Sequence, residues 1–428
     1  MNQTGIHEER QDKATLFYGW IIVVAVTIIY TISEIPVFAF GIFVKPIQNE
    51  LGWTREVITR AFGLYMILLG IFSILGGILV DRIGPKILNC LGGILIGLGF
   101  IIGSRAHSVV MFYLGYGILG GIGFAFIFVP NQTTLARWFI EKKGLALGIM
   151  FAGGGIGTLI ATPLMQAGIE RYGWRTVFVI LGILILCVSV PAALFLKKDP
   201  EEMGLSPLGK GDMKSSGATE GKGAVKSGQM IQAQNFTLPE ALKTVSFWIY
   251  NLAITLMFLG FFMAQVNMVP HVTDKGVAAA AAALALGIAS AFNALGRLLM
   301  GAVSDKIGTK NSFYICLSVG AIMLFYLISV HTPWMMYLFV VFFGVAYGGS
   351  VPQMPRMVSE LFGVKAMGAI MGVSMLITTL GPALGPVLGG AIYDRTGSYS
   401  PAFLTGGGAI LVALILIYLL RAPKKSEG

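Results

Sequence analysis

Two charged residues, Glu34 and Arg297, sit deep inside long apolar runs of the chain. Arg297 lies eight residues before Asp305, or about 12 Å along a helix at 1.5 Å per residue. Glu34 lies eleven residues before Lys45, about 16 Å by the same rise. A guanidinium offers a planar fork of donors that takes a carboxylate bidentately, so Arg297 is a candidate anchor for an organic acid. Ser290, Asn293, Arg297, Gly301 and Ser304 follow at spacings of 3, 4, 4 and 3, which keep them on one helix face. Asn293 can orient the guanidinium or donate to a bound carboxylate. Burial disfavours the charged form of a carboxyl, so Glu34 can carry a proton, although a direct pair with Arg297 would oppose that. His271, beside Pro270, is the second proton candidate, with an interfacial histidine as the plainer reading. Tyr347 stands between Gly344 and Gly348, where a thinned helix either exposes the phenol to a pocket or packs it at a small-residue contact. Phe38 reads as apolar lining. Asn131, Gln132, Gln265 and Asn267 read first as helix–helix hydrogen bonders.

The composition says what surrounds these groups. Of 428 residues, 56% are hydrophobic and 12% charged, against roughly 25% charged in a soluble domain; the mean hydropathy is +0.80. That excludes a soluble enzyme, a disordered chain and a coiled coil, and it disfavours a membrane β-barrel, whose strands alternate with polar residues. A spanning helix needs about 20 mostly apolar residues. Apolar stretches fall at 17–43, 57–79, 87–103, 109–133, 145–167, 175–196, 247–271, 279–303, 312–330, 335–355, 366–392 and 402–420, numbered here as spans one to twelve. The expected fold is an all-α membrane protein of twelve transmembrane helices. Several stretches exceed 20 residues, so tilt or kinks are expected, with Pro36, Pro163 and Pro386 as kink points. All six tryptophans sit at span ends, as an interfacial belt predicts.

With the N-terminus inside, the inner segments hold 21 of the 30 Lys and Arg residues and the outer loops with their adjoining span ends 8; Arg297 is the remaining one, deep in a span. The positive-inside rule then places both termini in the cytoplasm. The same bias accounts for the net charge of +10 without a nucleic-acid partner. The longest loop carries seven lysines among Gly and Ser residues and reads as a flexible linker, 197–245, between bundles at 1–196 and 246–428. Met1 to Leu16 is polar and holds three acidic residues, unlike a cleavable signal peptide. Cys90, Cys187 and Cys316 form no CxxC or Cys/His cluster, so neither disulfides nor a metal is expected.

The two halves repeat at an offset of 224 residues. Gly77 pairs with Gly301, Asp81 with Asp305, Arg82 with Lys306, Gly84 with Gly308 and Lys86 with Lys310. Further along, Gly144 pairs with Gly368, Gly148 with Gly372, Gly157 with Gly381, Arg171 with Arg395 and Gly173 with Gly397. Parallel repeats about an axis along the membrane normal are a transporter architecture, with substrate near the midplane between the halves. In this register Arg297 faces Ser73, so the charge breaks the symmetry. Asp81 can meet a basic partner such as Arg137, which would clasp the closed inner side together with Arg82, Asp305 and Lys306.

The loops GILVDRIGPK (77–86) and GAVSDKIGTK (301–310) resemble the signature loop of the major facilitator superfamily. Tyr18-Gly19-Trp20, RWFIEKKGLALGI (137–149), RYGWRTVF (171–178), the NALGR run of span eight and YDRTGSY (393–399) resemble the monocarboxylate transporter and oxalate:formate antiporter relatives. The resemblance implies transport of small organic anions, in one branch together with a proton, and a span-eight arginine, here Arg297, as substrate binder. Those relatives often carry an aspartate where this chain has Asn293, and some a lysine in span one near Phe38.

The function expected is symport of a small monocarboxylate such as lactate or pyruvate with a proton, by alternating access. One cation at depth favours one carboxylate over an oxalate-type dianion. An anion exchanger without a proton is the neighbouring alternative. A membrane sensor or embedded enzyme is the distant one, since no output domain fits the tails or linker and no H-E-x-x-H, GxSxG or phosphate loop occurs. No cofactor is expected. The setting is an inner (plasma) membrane lipid bilayer, and the chain is read as a monomer.

Overall fold

The computed structural model describes residues 4–139, 143–204, 236–363 and 366–423. Ten helices among them are long and apolar enough to cross a membrane. Two of these, Arg55–Ser104 and Lys143–Ala193, hold 50 and 51 residues. At 1.5 Å per residue each would run about 75 Å, more than twice a hydrocarbon core of roughly 30 Å. Each breaks once. Gly84 takes φ 78°, ψ 164° and Gly173 takes φ 80°, ψ 160°, a region essentially open to glycine alone. Each helix is therefore two spans, which makes twelve.

The breaks obey the repeat seen in the sequence. Gly308, with φ 86° and ψ 160°, separates Ala279–Ile307 from Thr309–Ser329, and Gly397 ends Leu380–Thr396 in the left-handed region. The other spans are Tyr18–Phe38, the apolar part of the helix Thr4–Phe38, then Val109–Trp138, Val245–Asp274, Pro333–Phe362, Ala369–Thr396 and Ser400–Leu419. Span one ends sooner than its apolar run: the chain turns at Ala39 and Phe40 into a separate helix, Gly41–Leu51. Helical dihedrals continue through Pro163 and Pro386, and the interruption in span eleven falls at Thr379. Trp138 and Trp174 are fully buried and do not join an interfacial belt. Both pack on other aromatics, and Trp138 Nε1 donates to the Lys197 carbonyl at 3.2 Å. Most of the expected linker, 205–235, lies outside the described residues; its flanks form a helical turn at Pro200–Met203 and a short helix at Leu238–Leu242.

The halves meet along two helix pairs. Span two packs on span eleven, where a Cβ at Gly63 would stand 2.8 Å from the Ala383 carbonyl and one at Gly70 2.9 Å from Thr379 Oγ1. Span five packs on span eight, where a Cβ at Gly287 would stand 2.7 Å from Leu159 Cα and one at Gly155 2.8 Å from the Ser290 carbonyl. One heptad further toward Asp81 and Asp305 the contact stops. A Cβ at Gly148, Gly301 or Gly372 would meet nothing within 4 Å. The two pairs are therefore joined at the Lys45/Asp274 face and separated at the Asp81/Asp305 face.

Gly84→Ala and Gly308→Ala should each cost about 1–3 kcal/mol, the strain of an L side chain in this region, and lower the melting midpoint in detergent. Gly408→Ala, whose added Cβ meets no neighbour at an ordinary helical φ, should hold or raise it. Equal midpoints for all three would contradict the hinge role.

Candidate substrate cavity and the cross-half latch

Between spans one, five and eight lies a small, partly open cavity. Span one contributes Glu34 and Phe38, span five Phe151, Gly154, Gly155 and Thr158, and span eight Ser290, Asn293, Ala294 and Arg297. Helical spacing explains the convergence. Residues 151, 154, 155 and 158 share one face of span five, and 290, 293, 294 and 297 one face of span eight. The cavity sits at the point where these two helices begin to part.

Arg297 lays its guanidinium over the Phe151 ring, 4.7 Å from the centroid. A cation against an aromatic face gains about 0.5–2 kcal/mol, more as water is excluded. This leaves the edge of the fork for hydrogen bonding. Among the described residues Arg297 makes no ion pair, and its Nε is buried without a hydrogen-bond partner, as is Asn293 Nδ2. Two buried donors lining one cavity thus lack an acceptor. Glu34, 6% exposed, stands in the same cavity but takes its hydrogen bond from the hydroxyl of Tyr30, one turn back on its own helix.

The other residues singled out from the sequence are placed elsewhere. Tyr347 is buried in an aromatic cluster with Phe258, Phe261 and Phe262, at centroid distances of 6.3, 5.2 and 5.8 Å, and does not line the cavity. His271 is buried within the second half, its Nε2 3.1 Å from the Leu327 carbonyl and its ring edge-on to Phe403. Gln265 Nε2 donates to the Phe38 carbonyl at 3.4 Å across the halves, and Asn267 to Met263 and Pro386 carbonyls. Asp81 pairs with Arg137, which also reaches Asp199 at 3.3 Å. In the second half Asp305 pairs with Arg356 at 2.7 Å. Both clasps join spans within one half, and Arg82 and Lys306 are exposed.

Sequence reasoning overlooked a polar latch at the Lys45/Asp274 face. Arg55, 3% exposed, forks onto Asp274 with contacts of 2.6 and 3.0 Å, donates from Nε to Gln48 at 2.9 Å, and lies 3.8 Å over the Tyr393 ring. Lys45 reaches the same aspartate at 2.9 Å. Asp394 accepts from the backbone N–H groups of Arg55 and Glu56, at 3.1 and 2.7 Å, and so caps span two from the opposite half. A helix N-terminus carries partial positive charge and free donors, which suits a carboxylate. Arg55 had counted as one more basic loop residue, because the sequence does not say which acid faces it. The one legible hint was the pair of acids, Asp274 and Asp394, at the ends of spans seven and eleven.

Twelve spans in two glycine-hinged repeats around a charged central cavity define a secondary transporter. The sequence profile described as Major Facilitator Superfamily matches residues 26–325 and 250–428, and the chain belongs to that superfamily. It is 26% identical over 438 residues to monocarboxylate transporter 12 of Mus musculus, covering 96% of this chain and 87% of the mouse protein. It is also 26% identical to monocarboxylate transporter 2 of Homo sapiens, covering 96% and 88%. An uncharacterized MFS-type transporter, YcxA, of Bacillus subtilis is 26% identical over 84% of this chain and 85% of its own. Among solved structures, a bacterial homolog of the human lysosomal transporter Spinster, in an inward-facing, unoccupied conformation, aligns with a TM-score of 0.66 at 17% identity over 94% and 95% of the two chains. The protein is an integral, multi-pass membrane transporter.

Asp274→Asn leaves a buried guanidinium without its counter-charge and should loosen the latched face. Thr59, fully buried beside Gly390 there, reports it: in a Thr59→Cys background, alkylation should quicken about tenfold if about 1.4 kcal/mol of closure is lost. Unchanged alkylation would contradict the latch.

Proposed function

We propose that the protein carries small monocarboxylates, of the lactate and pyruvate class, together with a proton. The observation that carries this reading is the pair of buried donors without acceptors, Arg297 Nε and Asn293 Nδ2, on the wall of a small cavity. A buried donor left without an acceptor costs about 1–3 kcal/mol, more when charged. One bound carboxylate offers lone pairs to both. The relatives named monocarboxylate transporters support the same substrate class.

The cavity also supplies a route to coupling. In the empty site an ionised Glu34 is the nearest lining counter-charge to Arg297. A bound carboxylate takes over that role, and Glu34 is then better occupied by a proton, because two anions would otherwise share one cation. Acid and proton therefore load and leave together. His271 serves this less well, being hydrogen-bonded to a carbonyl inside the second half. Among the lining residues Arg297 is the single cation, which favours one carboxylate over two. By the excess of basic residues, the N-terminus and the separated Asp81/Asp305 face lie in the cytoplasm. The bundles at 1–196 and 246–428 then rock about the cavity, with the linker 197–245 between them.

Arg297→Gln should lower uptake of labelled L-lactate into proteoliposomes at least about 30-fold, the equivalent of about 2 kcal/mol for a lost charge-assisted contact. Glu34→Gln should abolish the response to an imposed proton gradient. Uptake that ignores the gradient in the unaltered protein and requires internal anion would identify an exchanger instead. Tighter binding of oxalate than of lactate would overturn the single-carboxylate assignment.

A further inference from the structure

Span five carries Gly153, Gly154, Gly155 and Gly157 where an ordinary helix would carry alanine, and each glycine costs about 0.8–1 kcal/mol relative to Ala. None has a positive φ, so the backbone does not require them. Their neighbours do. A Cβ at Gly155 would strike the Ser290 carbonyl of the opposite half at 2.8 Å, and one at Gly153 the Thr31 hydroxyl at 2.8 Å. Gly154 differs. A Cβ there would overlap Glu34 Oε2 and stand 2.9 Å from Glu34 Cδ and 2.8 Å from Tyr30 Cε1. The missing side chain is the space in which the carboxyl sits.

We propose that Gly154 is a positioning residue: by lacking a Cβ it seats the Glu34 carboxyl, bonded to the Tyr30 hydroxyl, in the cavity that Arg297 lines, and so sets the coupling of acid to proton. The inference rests on Glu34 as the proton carrier. Glu34 is the tip of a flexible side chain, so an added methyl group displaces the carboxyl and leaves the helix backbones in place. The same methyl at Gly155 has a backbone carbonyl to contend with. The titratable groups around Glu34 are Tyr30 on its own helix, Arg297 from span eight, Tyr65 from span two and Tyr347 from span ten. Span five contributes none. Its effect on Glu34 is therefore one of shape.

The test compares Gly154→Ala, Glu34→Ala and the double variant. Two readouts are used: gradient-driven lactate accumulation in proteoliposomes, and labelling of Glu34 by a hydrophobic carbodiimide, located by mass spectrometry. Gly154→Ala should cut accumulation about tenfold or more and change the labelling rate of Glu34 several-fold. In the Glu34→Ala background, where gradient-driven accumulation is already lost, Gly154→Ala should lower the melting midpoint less than it does in the otherwise unaltered protein, because the carboxyl is gone and the Tyr30 ring alone stands within reach of the methyl. If Gly154→Ala alone folds poorly, the double variant should restore the melting midpoint. Wild-type accumulation and labelling in Gly154→Ala, or a fall of the melting midpoint as large in the Glu34→Ala background as in the otherwise unaltered protein, would overturn the assignment. Altered labelling with gradient coupling intact in Glu34→Gln would instead keep Gly154 as the seat of Glu34 and remove Glu34 as the proton carrier.

Discussion

Moving Arg297 from water to mid-membrane costs at least about 2.5–3.5 kcal/mol on insertion scales, and among the described residues no carboxylate forms an ion pair with it. The surroundings reduce that cost without discharging it. The Phe151 ring covers one face of the guanidinium, Glu34 stands in the same cavity at a remove, and the helices part on one side so that the cavity is small but not sealed. A direct Arg297–Glu34 bridge would stabilise the empty protein, and a substrate would then have to break it. Tyr30 prevents this by taking one carboxyl oxygen, and Gly154 by giving the group a place to stand. The site is left short of an acceptor, the deficit that the proposed carboxylate would fill.

Under the proposed symport, access to such a site has to be exclusive, since a path open at both faces would dissipate the driving gradient. The two faces differ in how their charges are paired. At the Lys45/Asp274 face, charges cross between halves: Arg55 onto Asp274, and Asp394 onto the span-two N-terminus. Both are strong in a partly dry setting and both weaken if water enters, which would suit a contact that breaks in the proposed cycle. At the opposite face the ion pairs, Asp81 with Arg137 and Asp305 with Arg356, hold spans together inside each half. They tie helices together inside each bundle. The four glycine breaks at 84, 173, 308 and 397 fold the chain within a half, so the proposed rocking would fall on the interface between halves.

Much of this was legible in the sequence because hydrophobic length and helical period are strong signals. The twelve runs, the 224-residue repeat, the common face of Asn293 and Arg297 and the similar depths of Glu34 and Arg297 follow from run length, register or helical period. What period cannot give is rotation about the helix axis relative to a neighbour. Tyr347 and His271 are polar residues on apolar helices like the others, yet their faces turn into packed cores. Phe151 and Tyr30 went unremarked because an aromatic in a span reads as lining until its contact with a charge is seen. The same limit hid Arg55 and Arg356, whose partners lie 219 and 51 residues away in the chain. Trp138 and Trp174 sit at span ends as an interfacial belt requires, but tertiary packing covers them.

The central claim is that one carboxylate and one proton cross together on Arg297 and Glu34, so that the loaded carrier moves no net charge. The direct measurement is lactate accumulation in proteoliposomes under two separate forces. One is a pH gradient with the membrane potential clamped at zero, and the other a membrane potential with no pH gradient. Accumulation with the gradient and none with the potential alone is the predicted result. Accumulation driven by the potential alone, or none with the gradient while lactate still exchanges, would contradict the account.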